Sequence, residues 1–210
     1  MCGRYALYGP QSRCRQHFRI DNDFDMAPRC NVAPSAVMPV IRQIEGQRIF
    51  VPAKWGRLPS WAKDSDGLPK PINAKAETAA IKPMFRHAFR KSRVPVSADA
   101  FYQWEWEEGG KKQPYLIRMR DEAPFGTGGL LEHWQGPASG VLTLAIRTTE
   151  PNPLMAEIRN RMPVIVRPED YGRWLDPDFD DLAELQGMIG RSPFQGVARH
   201  RRYASWGNRR

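Results

Sequence analysis

Short apolar runs, broken by glycine, proline and charge, dominate the chain, and few stretches carry a helical period. Arg4–Tyr8 predicts a strand that stops at Gly9-Pro10. Gln11–Phe18 predicts a helix inside an otherwise polar, irregular stretch over 11–30. Val37–Ile41 and Arg48–Val51 predict strands, and the prolines place the first at an edge or a bend. Trp55–Ala62 predicts a loop carrying two tryptophans among basic residues. The alanine-rich sequence after Asn73 predicts a helix start, with Asn73 or a neighbour at its cap. Met84–Phe89 predicts another helical turn. Arg93–Val96, Ala100–Trp106, Gln113–Arg120, Gly129–Trp134 and Val141–Arg147 then predict strands, the last three at hairpin-like intervals. Asn152-Pro153 predicts a cap and first helical position ahead of Leu154–Ile158. Met162–Val166 predicts an apolar strand, and Pro168–Trp174 a short helix with acids in its first turn. Asp181–Ile189 places Leu182, Leu185, Met188 and Ile189 on one helical face, closed by Gly190. Many strands and a few short helices predict an α+β fold, β-rich, with mostly antiparallel sheets in a barrel-like single domain.

The 210 residues suffice for one large domain, expected over 1–210 with a basic tail at about 199–210. A hydrophobic fraction of 41% can supply its core. Lysine and arginine number 32 against 23 acids, a net +9, which favours an anionic partner, nucleic acid first. The alternative is a solvated basic surface. The three cysteines, Cys2, Cys14 and Cys30, lack CxxC spacing, which argues against a disulfide framework or zinc site and fits a reducing cytoplasm. His17, His87, His133 and His200 form no ligand-spaced cluster, so neither metal nor cofactor is expected. No run approaches the roughly 20 apolar residues of a membrane span, and a monomer is expected.

Chemistry concentrates at Met1-Cys2-Gly3-Arg4-Tyr5. Cys2 is small enough for Met1 to be removed. A terminal cysteine would then carry an amine and a thiol on neighbouring carbons, with unperturbed pKa values near 8 and 8.5. The thiolate can attack a carbonyl with the amine as base. Alternatively, the amine can condense with an aldehyde and the thiol can close the imine into a thiazolidine. Either route needs an exposed aminothiol in a groove that attracts polyanions. Arg4 sets a planar cationic fork beside it, suited to phosphate. A lone Met-Cys is otherwise a frayed terminus.

Further motifs follow in order: Asn31-Val32-Ala33-Pro34, Trp55-Gly56 with Pro59-Ser60-Trp61-Ala62, Ile72 through Thr78, Phe85-Arg86, Phe101-Tyr102-Gln103-Trp104, Lys112 through Tyr115, Thr148-Thr149-Glu150 and Arg161 through Ile165. With the opening residues, the set resembles the SRAP family, the SOS-response-associated peptidase domain that shields abasic sites in single-stranded DNA. The resemblance runs to about Trp174. It implies that Met1 is removed, that Cys2 forms a thiazolidine with the ring-opened abasic sugar, and that Asn73 helps hold that sugar. It implies a positively charged channel for single-stranded DNA. The candidate DNA contacts are Arg4, Trp61, Lys75, Arg86, Thr148 and Arg161, with Trp61 alternatively a core tryptophan and Thr148 alternatively the end of a strand. Lys75 stands where relatives have arginine, keeping charge but not the bidentate fork.

Two further positions depart from the family. Gln103 stands for its glutamate and Arg159 for its histidine, and neither titrates usefully for proton transfer. Glu105 shares a strand face with Gln103, about 6–7 Å further on. It is either a substitute catalytic carboxylate or a surface glutamate. Trp55 is expected in the core, whereas Arg147 joins the phosphate candidates. Two other classes fit part of the pattern. One is a non-covalent single-strand binder that has lost catalysis. The other is an N-terminal-cysteine amidohydrolase or amidotransferase, since glutamine amidotransferases also start with Met-Cys-Gly; it leaves the Asn73 and Arg161 stretches unexplained.

Overall fold

The computed structural model describes residues 2–106, 108–136, 140–190 and 198–200, the last as backbone only. The expectations for Met1 and for the tail beyond His200 lie outside the described residues. Thirteen strands and six helices are described. In chain order they are β1 (Tyr5–Leu7), α1 (Gln11–Phe18), β2 (Arg29–Val32), β3 (Val37–Ile44), β4 (Gln47–Trp55), β5 (Asn73–Lys75), α2 (Ala76–Ala79), α3 (Arg86–Lys91), β6 (Arg93–Ala98) and β7 (Ala100–Trp106). They continue with β8 (Lys112–Arg118), β9 (Phe125–Gln135), β10 (Gly140–Thr149), α4 (Pro153–Ala156), β11 (Met162–Pro163), β12 (Ile165–Val166), α5 (Tyr171–Leu175), α6 (Leu182–Gly190) and β13 (Ala198–His200).

Five strands close a ring. β4 pairs β3, β3 pairs β6, β6 pairs β9 and β9 pairs β10, all antiparallel. A short parallel contact, Thr143 to Lys54 and Leu144 to Trp55, joins β10 back to β4. A second antiparallel sheet runs β13-β8-β7-β1-β2. The α+β, barrel-like, mostly antiparallel expectation is therefore what the structure shows. Side-chain alternation along β3 explains the layering: Met38 and Val40 enter one apolar cluster with Phe101 and Ile117 of the second sheet. Ile41 enters a second cluster, with Phe89 of α3 and Trp174 of α5.

Local chemistry ends each element near the site. Asp99 is buried and accepts from the backbone N–H groups of Tyr8 and Gly9, both at 2.7 Å, and from Arg13 at 2.6 Å. It thus fixes the exit of β1 into α1. Trp55 is not in a loop, as its neighbours suggested, but closes β4. It is fully buried, donates to the Ile72 carbonyl at 2.8 Å and meets the Tyr5 ring edge-on at 5.0 Å. Gly56, at φ +132°, then turns the chain out of the strand. Asn73 caps no helix. It opens β5, which pairs parallel with β10, and α2 begins after Lys75 without a side-chain cap. The Met162–Val166 strand is split at Val164, whose N–H donates to Arg147 and whose carbonyl accepts from Gly128. Among the described residues no helix is long and apolar enough to cross a membrane.

The loop after Gly56 is anchored from inside. Arg57, 2% exposed, pairs with Glu132 of β9, donates to the Met84 carbonyl at 3.1 Å and stacks on Phe85. Removing one partner of a buried pair leaves an uncompensated charge, so Glu132→Ala is expected to lower unfolding stability by about 3–5 kcal/mol. Denaturant melts measure it. A loss below about 1 kcal/mol, the value of an exposed pair, would mean that Met84 and Phe85 carry Arg57 without Glu132.

Candidate active site around Cys2

Cys2 lies where three elements meet. β7 brings Gln103, because its residues pair with β1 in a register that sets Phe101 opposite Tyr5. β5 brings Asn73, because it lies beside the C-terminal half of β10 with Asn73 opposite Ile146. The segment entering β11 brings Arg161, because Met162 pairs with Thr149.

The contacts are short and directional. Gln103 Nε2 donates to Cys2 Sγ at 3.0 Å and to the Arg161 carbonyl at 3.2 Å. A carbonyl accepts only, which fixes the amide with nitrogen toward the sulfur. The Cys2 thiol faces the same carbonyl at 3.9 Å. Asn73 Nδ2 donates to the Cys2 carbonyl at 3.0 Å and so holds the backbone beside the sulfur. Asn73 Oδ1, Gln103 Oε1 and Arg161 Nε are buried without a hydrogen-bond partner. Each such atom costs about 1–3 kcal/mol unless something polar meets it. Three such atoms belong to the side chains that surround one thiol.

Cys2 is not exposed as its chemistry requires: it is 1% accessible, and its burial pushes the thiol pKa up to about 12. The Gln103 N–H and the charges of Arg161 and Arg159 pull the other way without offsetting it. In this state the sulfur is a neutral thiol and a poor nucleophile.

The cations around it differ in freedom. Arg161 grips Glu77 with two parallel bonds of 2.9 Å each and also reaches the Thr148 carbonyl and hydroxyl. Partial burial raises the Glu77 pKa, but the Arg161 bonds and charge outweigh it and hold the carboxyl below its ordinary value. Sequence reading missed Glu77; its position two residues after Lys75 was the only sign. Arg4 donates to Asn31 at 2.7 Å, and Lys75 is exposed on β5. Thr148 is buried and serves Arg161. Glu105 is engaged by the Tyr115 hydroxyl at 2.6 Å, one pleat away from Gln103. Trp61 is 72% exposed on the loop that Arg57 anchors. Arg86 is exposed on α3. Arg147 is a core residue rather than a phosphate contact. It is fully buried and stacked on Phe89 and Trp174, and burial pushes its pKa down to about 9.

Fold and site together define a barrel protein with a buried thiol among polar side chains, and no metal-ligand cluster is found among the described residues. The chain belongs to the SOS response associated peptidase (SRAP) family, whose profile matches residues 1–201. It is 37% identical to the abasic site processing protein YoqW of Bacillus subtilis over 194 residues, 90% of this chain and 86% of that one. It is 30% identical to the abasic site processing protein YedK of Escherichia coli, covering 83% of this chain and 79% of that one. A crystal structure of a protein from Bordetella bronchiseptica superposes with a TM-score of 0.81 at 23% identity, covering 94% of this chain and 98% of that one. That likeness concerns the fold alone.

Proposed function

We propose that the chain, once Met1 is lost, captures abasic sites in single-stranded DNA by closing a thiazolidine between Cys2 and the ring-opened sugar. The terminal amine condenses with the sugar aldehyde and releases water. The sulfur then adds to the imine carbon while its proton passes to nitrogen, so aminothiol and aldehyde give thiazolidine and water. One observation carries this reading: Cys2 is surrounded by Asn73, Gln103 and Arg161 with three buried polar atoms still unpartnered. The names of the B. subtilis and E. coli relatives support the substrate class. Gln103 holds the thiol, Asn73 sits beside the sugar, and Arg4, Lys75, Arg159 and Arg161 meet phosphates. Trp61 offers a stacking face. The setting we propose is a monomer acting on DNA in the cytoplasm. The chemistry requires the sulfur to become reachable in the processed chain, where the residue 2 nitrogen is an amine instead of an amide.

A second reading, binding without bond formation, is favoured by Gln103 and Arg159, which cannot exchange protons near neutrality. Intact mass after incubation with an abasic oligonucleotide separates the two. The expected product is the chain without Met1 plus the oligonucleotide minus one water. Native-gel retention without that mass would leave the binder reading; no retention would remove both.

A further inference from the structure

Among the described residues two tryptophans are exposed, Trp61 and Trp106, and only the first belongs to the site above. Trp106 ends β7 and is 56% exposed. Its cross-strand partner Lys112 holds its ammonium 4.3 Å from the ring centroid. The Arg159 guanidinium stands 6.0 Å from the same ring and also acts electrostatically on the Cys2 thiol. Trp106 lies three residues past Gln103, roughly 10 Å along the strand and on its opposite face; at the end of β7 it is Arg159, next to its ring and acting on the Cys2 thiol, that ties it to the site. It also continues a row: Tyr102, Trp104 and Trp106 share one face of β7, with the first two rings 6.2 Å apart.

We propose that Trp106 is a stacking platform for an unpaired nucleobase near the abasic sugar, with Lys112 and Arg159 taking that nucleotide's phosphates. This rests on the DNA reading above. A flat π-face set between two cations matches a ligand that is planar and anionic at once, as a nucleotide is; an apolar peptide has no use for the charges. The ammonium over the ring marks the electron-rich face that a base would cover, and Lys112 has the stem length to swing onto a phosphate as it does so. Stacking of this kind tolerates any base, because each has a π-face. Arg159 then serves as the link between the platform and the nucleophile.

The test uses oligonucleotides with a tetrahydrofuran abasic analogue, which binds but has no aldehyde. In one the neighbouring nucleotides carry purines; in the other they are tetrahydrofuran spacers. Fluorescence anisotropy is expected to show Trp106→Ala weakening binding of the purine oligonucleotide about tenfold. Trp106→Phe should retain most of the affinity, and both variants should match wild type on the spacer oligonucleotide. Equal losses on both oligonucleotides, or a loss on neither, would overturn the platform. Wild-type protein binding neither oligonucleotide, and forming no adduct with a true abasic site, would instead overturn the DNA reading beneath it.

Discussion

Serine in place of Cys2 is expected to abolish the covalent adduct with abasic DNA, leaving no band after denaturation while native-gel retention stays within about twofold of wild type. The serine oxygen can take the two contacts that the sulfur makes with Gln103 and the Arg161 carbonyl, so the pocket keeps its shape. A hydroxyl, however, is far less nucleophilic than a thiol toward an imine carbon and does not close a durable ring. A full-strength band from Cys2→Ser would assign the bond to another residue and sink the mechanism. The same variant carries a pH signature. Burial raises the thiol pKa in the folded chain from 9.0 to about 12. The stabilisation from keeping that thiol neutral is present below the unfolded value and is lost as pH rises from about 9 to about 12. Serine does not titrate there, so its stability curve should fall less steeply through that window than wild type.

Glutamate in place of Gln103 is the second change with a large expected effect, and it should raise the cross-linking rate. The substituted carboxyl would face the Arg161 carbonyl and the Cys2 sulfur, the two groups now met by Gln103 Nε2. An ionised carboxylate there is desolvated by burial and repelled by the carbonyl, which push its pKa up against the pull of the Arg161 and Arg159 charges, as burial does at the Cys2 thiol, and the protonated acid donates as the amide does. Unlike the amide, that acid can release its proton during imine formation. General acid catalysis is commonly worth 10²–10⁴-fold, and a gain of at least about tenfold is expected at mildly acidic pH. The gain should fade as pH rises and the carboxyl ionises. Folding stability should decline over the same interval, because a raised carboxyl pKa stabilises only while the acid stays protonated. Single-turnover rates against pH decide it. A rate equal to wild type throughout would show that proton transfer at this position does not limit the reaction.

Much of the secondary structure was legible because it is encoded over a few residues. The Gln11–Phe18 helix and the Ala100–Trp106 strand have the bounds that their patterns predict. The Asn152 cap is present as expected, its side chain accepting from Met155 N–H at 2.9 Å, because cap and helix lie in one turn. Asn73 shows the limit of this logic. Its neighbours favour a helix, yet the open flank of β10 captures residues 73–75 as a strand, and its amide goes to Cys2. The split at Val164 has the same origin, since its backbone bridges β9 and β10.

By itself the sequence determined the β-rich fold class, the family and the residue types of the thiol site, since these reside in local patterning and in motifs readable along the chain. Tertiary structure alone decided that Gln103 and Arg161, 101 and 159 positions from Cys2, meet its sulfur. It alone placed Glu77 on Arg161, Tyr115 on Glu105, Arg147 in the core and Trp106 at the surface. It alone buried the thiol. Strand register and burial depend on which distant elements pack together, and that is fixed by the shared core they fill instead of by any short run of residues.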